Sequence, residues 1–151
     1  MDFQDCIKFA SENATCSIAT VEGDQPRVRY VALWRADNTG FYFQTESQKA
    51  FYKQMKSNGK VEVCFRKTTE PTEGRPDPTE KTEMRVAGEV EFVDDLAIKA
   101  QILEDRPFLK TAGIEKPDDP HLVVFRIPKG EAFFWSLADT TRESEIPRIK
   151  F

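Results

Sequence analysis

Histidine is nearly absent, with His121 the only one in 151 residues. One imidazole excludes a multi-histidine metal centre within the chain, and no metal site is expected. Its setting, Asp119-Pro120-His121-Leu122, reads as a partly exposed loop residue at the entry to a strand. Cysteine is scarce too: Cys6, Cys16 and Cys64 are odd in number and lack CxxC spacing. They read as packing residues in apolar contexts such as VEVCF rather than as ligands or a disulfide framework. No run approaches the ~20 apolar residues of a membrane span. The opening MDFQDCIKFA carries acidic residues where a signal peptide carries basic ones, so a cytoplasmic location is expected. A basic excess is also missing: 22 Lys and Arg stand against 26 Asp and Glu, net −4, which argues against nucleic-acid binding.

What the chain does have is phenylalanine, twelve of them beside three Tyr and two Trp, suited to a compact β core or a planar ligand. One domain spanning 1–151 is the expectation. Phe3, Ile7 and Ala10 predict a short amphipathic helix over 2–12, ending near Asn13. ATCSIATV predicts a strand stopped by Glu22-Gly23-Asp24. A second strand is expected from Pro26 to about Arg35, with Arg27, Arg29, Val31, Leu33 and Arg35 on one face. FYFQT follows the Asp37–Gly40 turn as a third strand, and short connections predict an antiparallel meander of the three.

A helix is expected from SQKAFYKQMKSNGK, with Phe51, Tyr52 and Met55 as its apolar stripe. Residues 67–83 have no aliphatic or aromatic side chain and predict an exposed loop. Met84, Val86, Gly88, Val90 and Phe92 alternate through one long strand. Helices are expected around 96–103 and 107–114, then strands HLVVFRI and EAFFWSL. The tail 138–151 is polar until IPRIKF, an apolar end that predicts docking rather than free disorder. These patterns predict a mainly β (α+β) fold, a small antiparallel barrel with peripheral helices.

The six residues Gln44-Thr45-Glu46-Ser47-Gln48-Lys49 are the most informative. Thr45 with Gln48 predicts a capping box, and Ser47 is an alternative N-cap. A helix N-terminus offers free N–H groups and a positive dipole end, which favours a phosphate. A lysine in the first turn opposes that dipole unless an anion is bound, and Arg29 on a neighbouring strand could add a bidentate contact. Arg27 shares the face of Arg29, so one of them can serve a phosphate while the other pairs with an acid. An ordinary capped helix with a snorkelling lysine is the other reading of the same residues.

The order GDQPRVRYVALW, turn, GFYFQTESQK, helix, then MRVAGEVEFVDD resembles the FMN-binding split β-barrel family related to pyridoxamine 5′-phosphate oxidase. The similarity runs from about Ala14 to Trp135. The resemblance implies a split barrel of Greek-key-like topology that binds FMN as a homodimer, with the cofactor at the subunit interface. It implies that Arg29 and Lys49 hold the phosphate, with Ser47 and Gln48 beside it. Backbone groups around Tyr30, Val31 and Ala32, and at Gln44 and Thr45, would line the ring. Glu83 aligns with a flavin-contacting glutamine and Trp135 with an aromatic near the flavin, and the strand of Glu83 and Arg85 would supply the facing wall of the cleft from a partner subunit. The oxidase's Arg-x-His substrate motif has no counterpart in SLADTTRESEIPRIKF, so that oxidase activity is not expected. The expectation is an FMN-dependent oxidoreductase acting on a small molecule. The alternatives are an electron carrier or flavin store, and a barrel holding a deazaflavin or haem.

Overall fold

Residues 1–67 and 77–151 are described by the structure, a computed structural model. The middle of the expected 67–83 loop, residues 68–76, lies outside the described residues. Helix α1, Phe3–Glu12, begins at a capping box in which Asp2 accepts from the Gln4 and Asp5 amides, and it buries Cys6 and Ala10. Strand β1, Thr15–Glu22, turns Cys16, Ile18 and Thr20 inward. Gly23, at φ 64°, makes the tight turn into β2, Gln25–Ala32, because a left-handed backbone there favours glycine.

The chain then changes sheets. The Leu33 amide bonds to the Ala14 carbonyl at 2.8 Å, while the next amide, Trp34, bonds to Tyr42 at 2.9 Å. Residues 35–37 therefore belong to a different sheet from β2. Strand β3, Arg35–Asp37, pairs with β4, Gly40–Glu46. This corrects two expectations: the second strand stops at Ala32, and the three expected strands do not form one meander. Gly40 is required where β4 starts, since a Cβ there would collide with the Ile127 carbonyl.

Helix α2, Ala50–Ser57, follows, then β5, Lys60–Arg66, and β6, Glu83–Glu89. The long alternating strand expected to reach Phe92 also breaks. The Val90 amide bonds to Gly59, and β7, Glu91–Phe92, joins the other sheet. Helix α3, Leu96–Asp105, capped by Asp95, leads through a 3-10 segment, Pro107–Ala112, to β8, Leu122–Ile127. Strands β9, Gly130–Trp135, and β10, Ile149–Lys150, finish the chain.

One sheet runs β10-β9-β6-β5-β1-β2 and the other β3-β4-β8-β7, with every pairing antiparallel. Their inner faces enclose a phenylalanine core: Phe41, Phe43, Phe65 and Phe125 are fully buried, and Phe43 stacks on Phe125 at 5.3 Å. Truncating one such ring to alanine costs about 3–5 kcal/mol. A second cluster, Ile102, Leu109, Ile114, Leu122 and Val124, seats α3 against the other side of the smaller sheet. The apolar tail docks as expected, with β10 on β9 and Phe151 stacked on Phe3 at 4.7 Å. Among the described residues no helix is long and apolar enough to cross a membrane.

Candidate functional site

Arg29 sits opposite Ile18 on the half-buried inward face of β2. Its guanidinium lies 4.5 Å from the Phe51 ring, in the first turn of α2. Nη1 donates to Thr20 Oγ1 at 2.8 Å and to the Ile18 carbonyl at 3.3 Å, and Nη2 donates to Gln54 Oε1 at 2.5 Å. Five N–H groups make up a guanidinium, so Nε–H and one Nη2–H have no partner among the described residues. Burial lowers the Arg29 pKa, but a guanidinium stays charged near neutrality. Arg27, two residues earlier, pairs with Glu22 at 3.1 Å. Hydrogen bonds from Gln54 and then Arg27 hold the Glu22 carboxyl below its usual range.

The approach to α2 differs from its sequence reading. Thr45 and Ser47 are not caps: Thr45 lies within β4, and the N-cap is Lys49, which makes no side-chain capping bond. The Ser47 amide donates instead to the His121 carbonyl at 3.0 Å. Thr45 is 2% exposed, and its hydroxyl has no hydrogen-bond partner among the described residues. Lys49 and Gln48 are exposed, and the Lys49 ammonium is 2.6 Å from Glu46 Oε2. Helices α1 and α3 are both capped by aspartate, whereas α2 starts without one.

Strand β2 is an edge strand, so alternate backbone groups of Tyr30, Val31 and Ala32 face away from β1 without a strand partner. On β4, residues 44–46 pair with β8 on one side only, since β3 covers just 40–42. The end of β2 and the Gln44 side chain of β4 meet at Arg106, at the end of α3. Arg106 donates to the Leu33 carbonyl at 2.8 Å, to the Ala32 carbonyl at 3.3 Å and to the Gln44 side chain. Trp34 Nε1 donates to Asp105 at 2.9 Å and fixes the same corner.

Glu83 and Trp135 lie elsewhere. They pair directly across β6 and β9 on the outward face of the larger sheet. At ~4.8 Å per strand, β6 is three strands and ~14 Å from β2, with β9 one further. The Glu83 carboxylate is taken by Arg85 Nε at 2.7 Å, and Arg85 also approaches Glu143 at 3.5 Å. Arg29 therefore packs on the first turn of α2, Ala32 and Gln44 share Arg106, Thr45, Ser47 and Lys49 lie along the passage from β4 into α2, and Glu83 and Trp135 pair with each other on the far strands.

Sequence reasoning missed Gln54, Thr20, Glu46 and Arg106. Gln54 carried a signal: it stands between Phe51 and Met55 on the buried face of α2, a polar residue where periodicity asks for an apolar one. His121 lies on an exposed turn, its Nδ1 3.1 Å from Asp119, and no cluster of three or more metal-ligating residues occurs among the described residues. The thiols are quiet: burial pushes Cys6 and Cys64 up to about 11 and Cys16 up to about 12.

Two antiparallel sheets, joined by segments that pass from one to the other, define the split β-barrel fold. A model of the family described as Pyridoxamine 5′-phosphate oxidase matches residues 4–136, and the chain belongs to that family. A NimC/NimA family protein from Clostridium acetobutylicum is 26% identical, with a TM-score of 0.74 over 98% of this chain and 92% of that one. HutZ, the haem storage protein of Vibrio cholerae, is 18% identical, with a TM-score of 0.63 over 89% of this chain and 95% of its own. An FAD-binding protein from Mesorhizobium loti is also 18% identical, with a TM-score of 0.56 over 85% and 90%. The last two likenesses show the fold alone. None of the curated proteins compared matches the chain.

Proposed function

We propose that the protein binds FMN beside the start of α2 and uses it as an oxidoreductase on a small molecule. The observation that carries this reading is Arg29: a half-buried arginine, fixed on three sides, with two N–H donors to spare next to a helix start without a side-chain cap. Such a pairing of fixed guanidinium and free helix amides suits a phosphate monoester. The buried Thr45 hydroxyl, near the end of β4, is a further donor without a partner among the described residues. Ser47, Gln48 and Lys49 would complete the phosphate end, and the open edges at Tyr30–Ala32 and Gln44 would border the ring. Bound FMN supplies the redox chemistry, so the chain needs no general base of its own. Its work is to hold the phosphate, orient the ring plane and exclude water from one side.

The reading includes a homodimer. Val28 and Tyr30, 70% and 84% exposed, stand with Pro26 and Ala32 on the outward face of β2. A second copy against this face would cover them and could bring its Glu83 and Trp135 to the cleft that one chain leaves incomplete. Family membership and the FAD-binding neighbour support a flavin. The haem-storing neighbour raises the other cofactor, but the single exposed histidine offers it a poor ligand. The test is the visible spectrum of the purified protein. Absorbance near ~450 nm, with FMN released on denaturation, is expected. Colourless protein that takes up no added FMN would end the reading. Rapid reoxidation of the reduced protein by a small organic acceptor distinguishes an enzyme from a carrier.

A further inference from the structure

Gln54 is 6% exposed on the inner face of α2, yet it uses every polar atom that it has. Oε1 accepts from Arg29 Nη2 at 2.5 Å and from Thr20 Oγ1 at 2.6 Å, while Nε2 donates to Glu22 Oε2 at 3.0 Å. Thr20, 1% exposed, closes the triangle by accepting from Arg29 Nη1 at 2.8 Å. Glu22 is held in turn by Arg27. The network links β1, β2 and α2 through one guanidinium.

Arg29 needs such a clamp for a geometric reason. A free arginine side chain samples many rotamers, and a bidentate contact forms only along one of the fork's two edges. Thr20 and Gln54 both engage terminal nitrogens, Nη1 and Nη2, and so consume the end-on edge. What remains is the side-on edge, Nε–H with the second Nη2–H. We propose that Gln54, with Thr20, is a positioning residue. It locks Arg29 so that this edge faces the phosphate, and thereby sets the preference of the site for a phosphorylated flavin over riboflavin. The inference rests on the FMN reading above and adds to it which buried residue makes the phosphate count. Gln54 itself touches no ligand, because its oxygen and nitrogen are committed within the protein.

The test compares FMN with riboflavin, measured by fluorescence titration of the full chain and of Gln54→Leu, Thr20→Val and Arg29→Ala. Leucine keeps the volume of Gln54 and removes the acceptor. Gln54→Leu and Thr20→Val should each weaken FMN about tenfold, the scale of one charge-assisted contact, with riboflavin within twofold of wild type. Riboflavin binding is also the control for folding, since a collapsed variant would lose both ligands. Equal losses of FMN and riboflavin in both Gln54→Leu and Thr20→Val would make the role structural only and overturn the inference. So would unchanged FMN affinity in both, if Arg29→Ala weakens FMN. If Arg29→Ala leaves FMN unaffected, the phosphate lies elsewhere and both readings fall. Failure of the wild-type chain to bind either flavin refutes the parent reading, and this inference with it.

Discussion

Glu46 supplies the sharpest test of where the phosphate sits. Its Oε2 is 2.6 Å from the Lys49 ammonium, with the Glu46 side chain 19% exposed and that of Lys49 60% exposed. With the lysine largely exposed, such a pair is worth about 1 kcal/mol, so a phosphate arriving at the start of α2 must compete for Lys49 against a carboxylate. The carboxylate also repels the incoming dianion. At a separation of roughly 7 Å and an effective dielectric of about 60, that repulsion is about 1 kcal/mol per phosphate charge before screening. Glu46→Gln removes both penalties while keeping the side-chain size. It should tighten FMN about tenfold in calorimetric titration at ~0.01 M salt, where the Debye length is ~30 Å, and much less at ~1 M, where it is ~3 Å. Without ligand the variant should be slightly less stable, by about 0.3–1 kcal/mol, because a carboxylate at a helix N-terminus favours the helix. Unchanged or weaker FMN binding at low salt would refute the reasoning.

Tyr30→Glu introduces a charge on the outward face of β2, where the tyrosine is 84% exposed in one chain; sedimentation should show monomer in place of dimer, and an unchanged dimer would put the interface elsewhere. Phe151→Ala removes a ring stacked on Phe3 at 4.7 Å and edge-on to Phe41 at 5.3 Å. Its half-buried site predicts a loss of about 2–3 kcal/mol in urea unfolding, against well under 1 kcal/mol if the tail is loosely attached. The Asp139 carboxyl is held at about 2 by hydrogen bonds from Lys81 and then Ser136. A depressed folded pKa stabilises above the unfolded value of ~3.9, and that stability is lost as pH falls through the folded one. Asp139→Asn should therefore flatten the fall in stability between about pH 4 and 2, seen by denaturant midpoints across that range.

The strands on either side of the sheet switch were legible because inward and outward residues alternate in Thr15–Glu22, Lys60–Arg66 and Gly130–Trp135. The switches were not. Leu33 and Val90 continue the apolar alternation of β2 and β6, and only the direction of a single amide, to Ala14 or Gly59, marks where one sheet ends. Turn chemistry misled at Thr45 and Ser47. Both are good capping residues, but β4 runs on to Glu46 because Val123 and Leu122 keep pairing with it, so the helix starts later. At the candidate site Arg29 and Lys49 were visible as cations beside a helix start, whereas their neighbours were not. Arg106 reaches Ala32 and Leu33 across more than seventy residues, and no local pattern announces such a contact. Gln54 was visible only as an exception to its helical stripe, a departure that makes sense once Arg29 needs an acceptor.

Thermal unfolding of the purified chain, with and without FMN, tests the central claim most directly. A ligand that binds only the folded state at a hundred times its Kd adds about 2.7 kcal/mol. For a chain of 151 residues that corresponds to a rise in Tm of roughly 5–10 °C. The account predicts a rise of that size, growing with FMN concentration and reduced in Arg29→Ala. A Tm that does not move at saturating FMN, in protein purified without flavin, would contradict it.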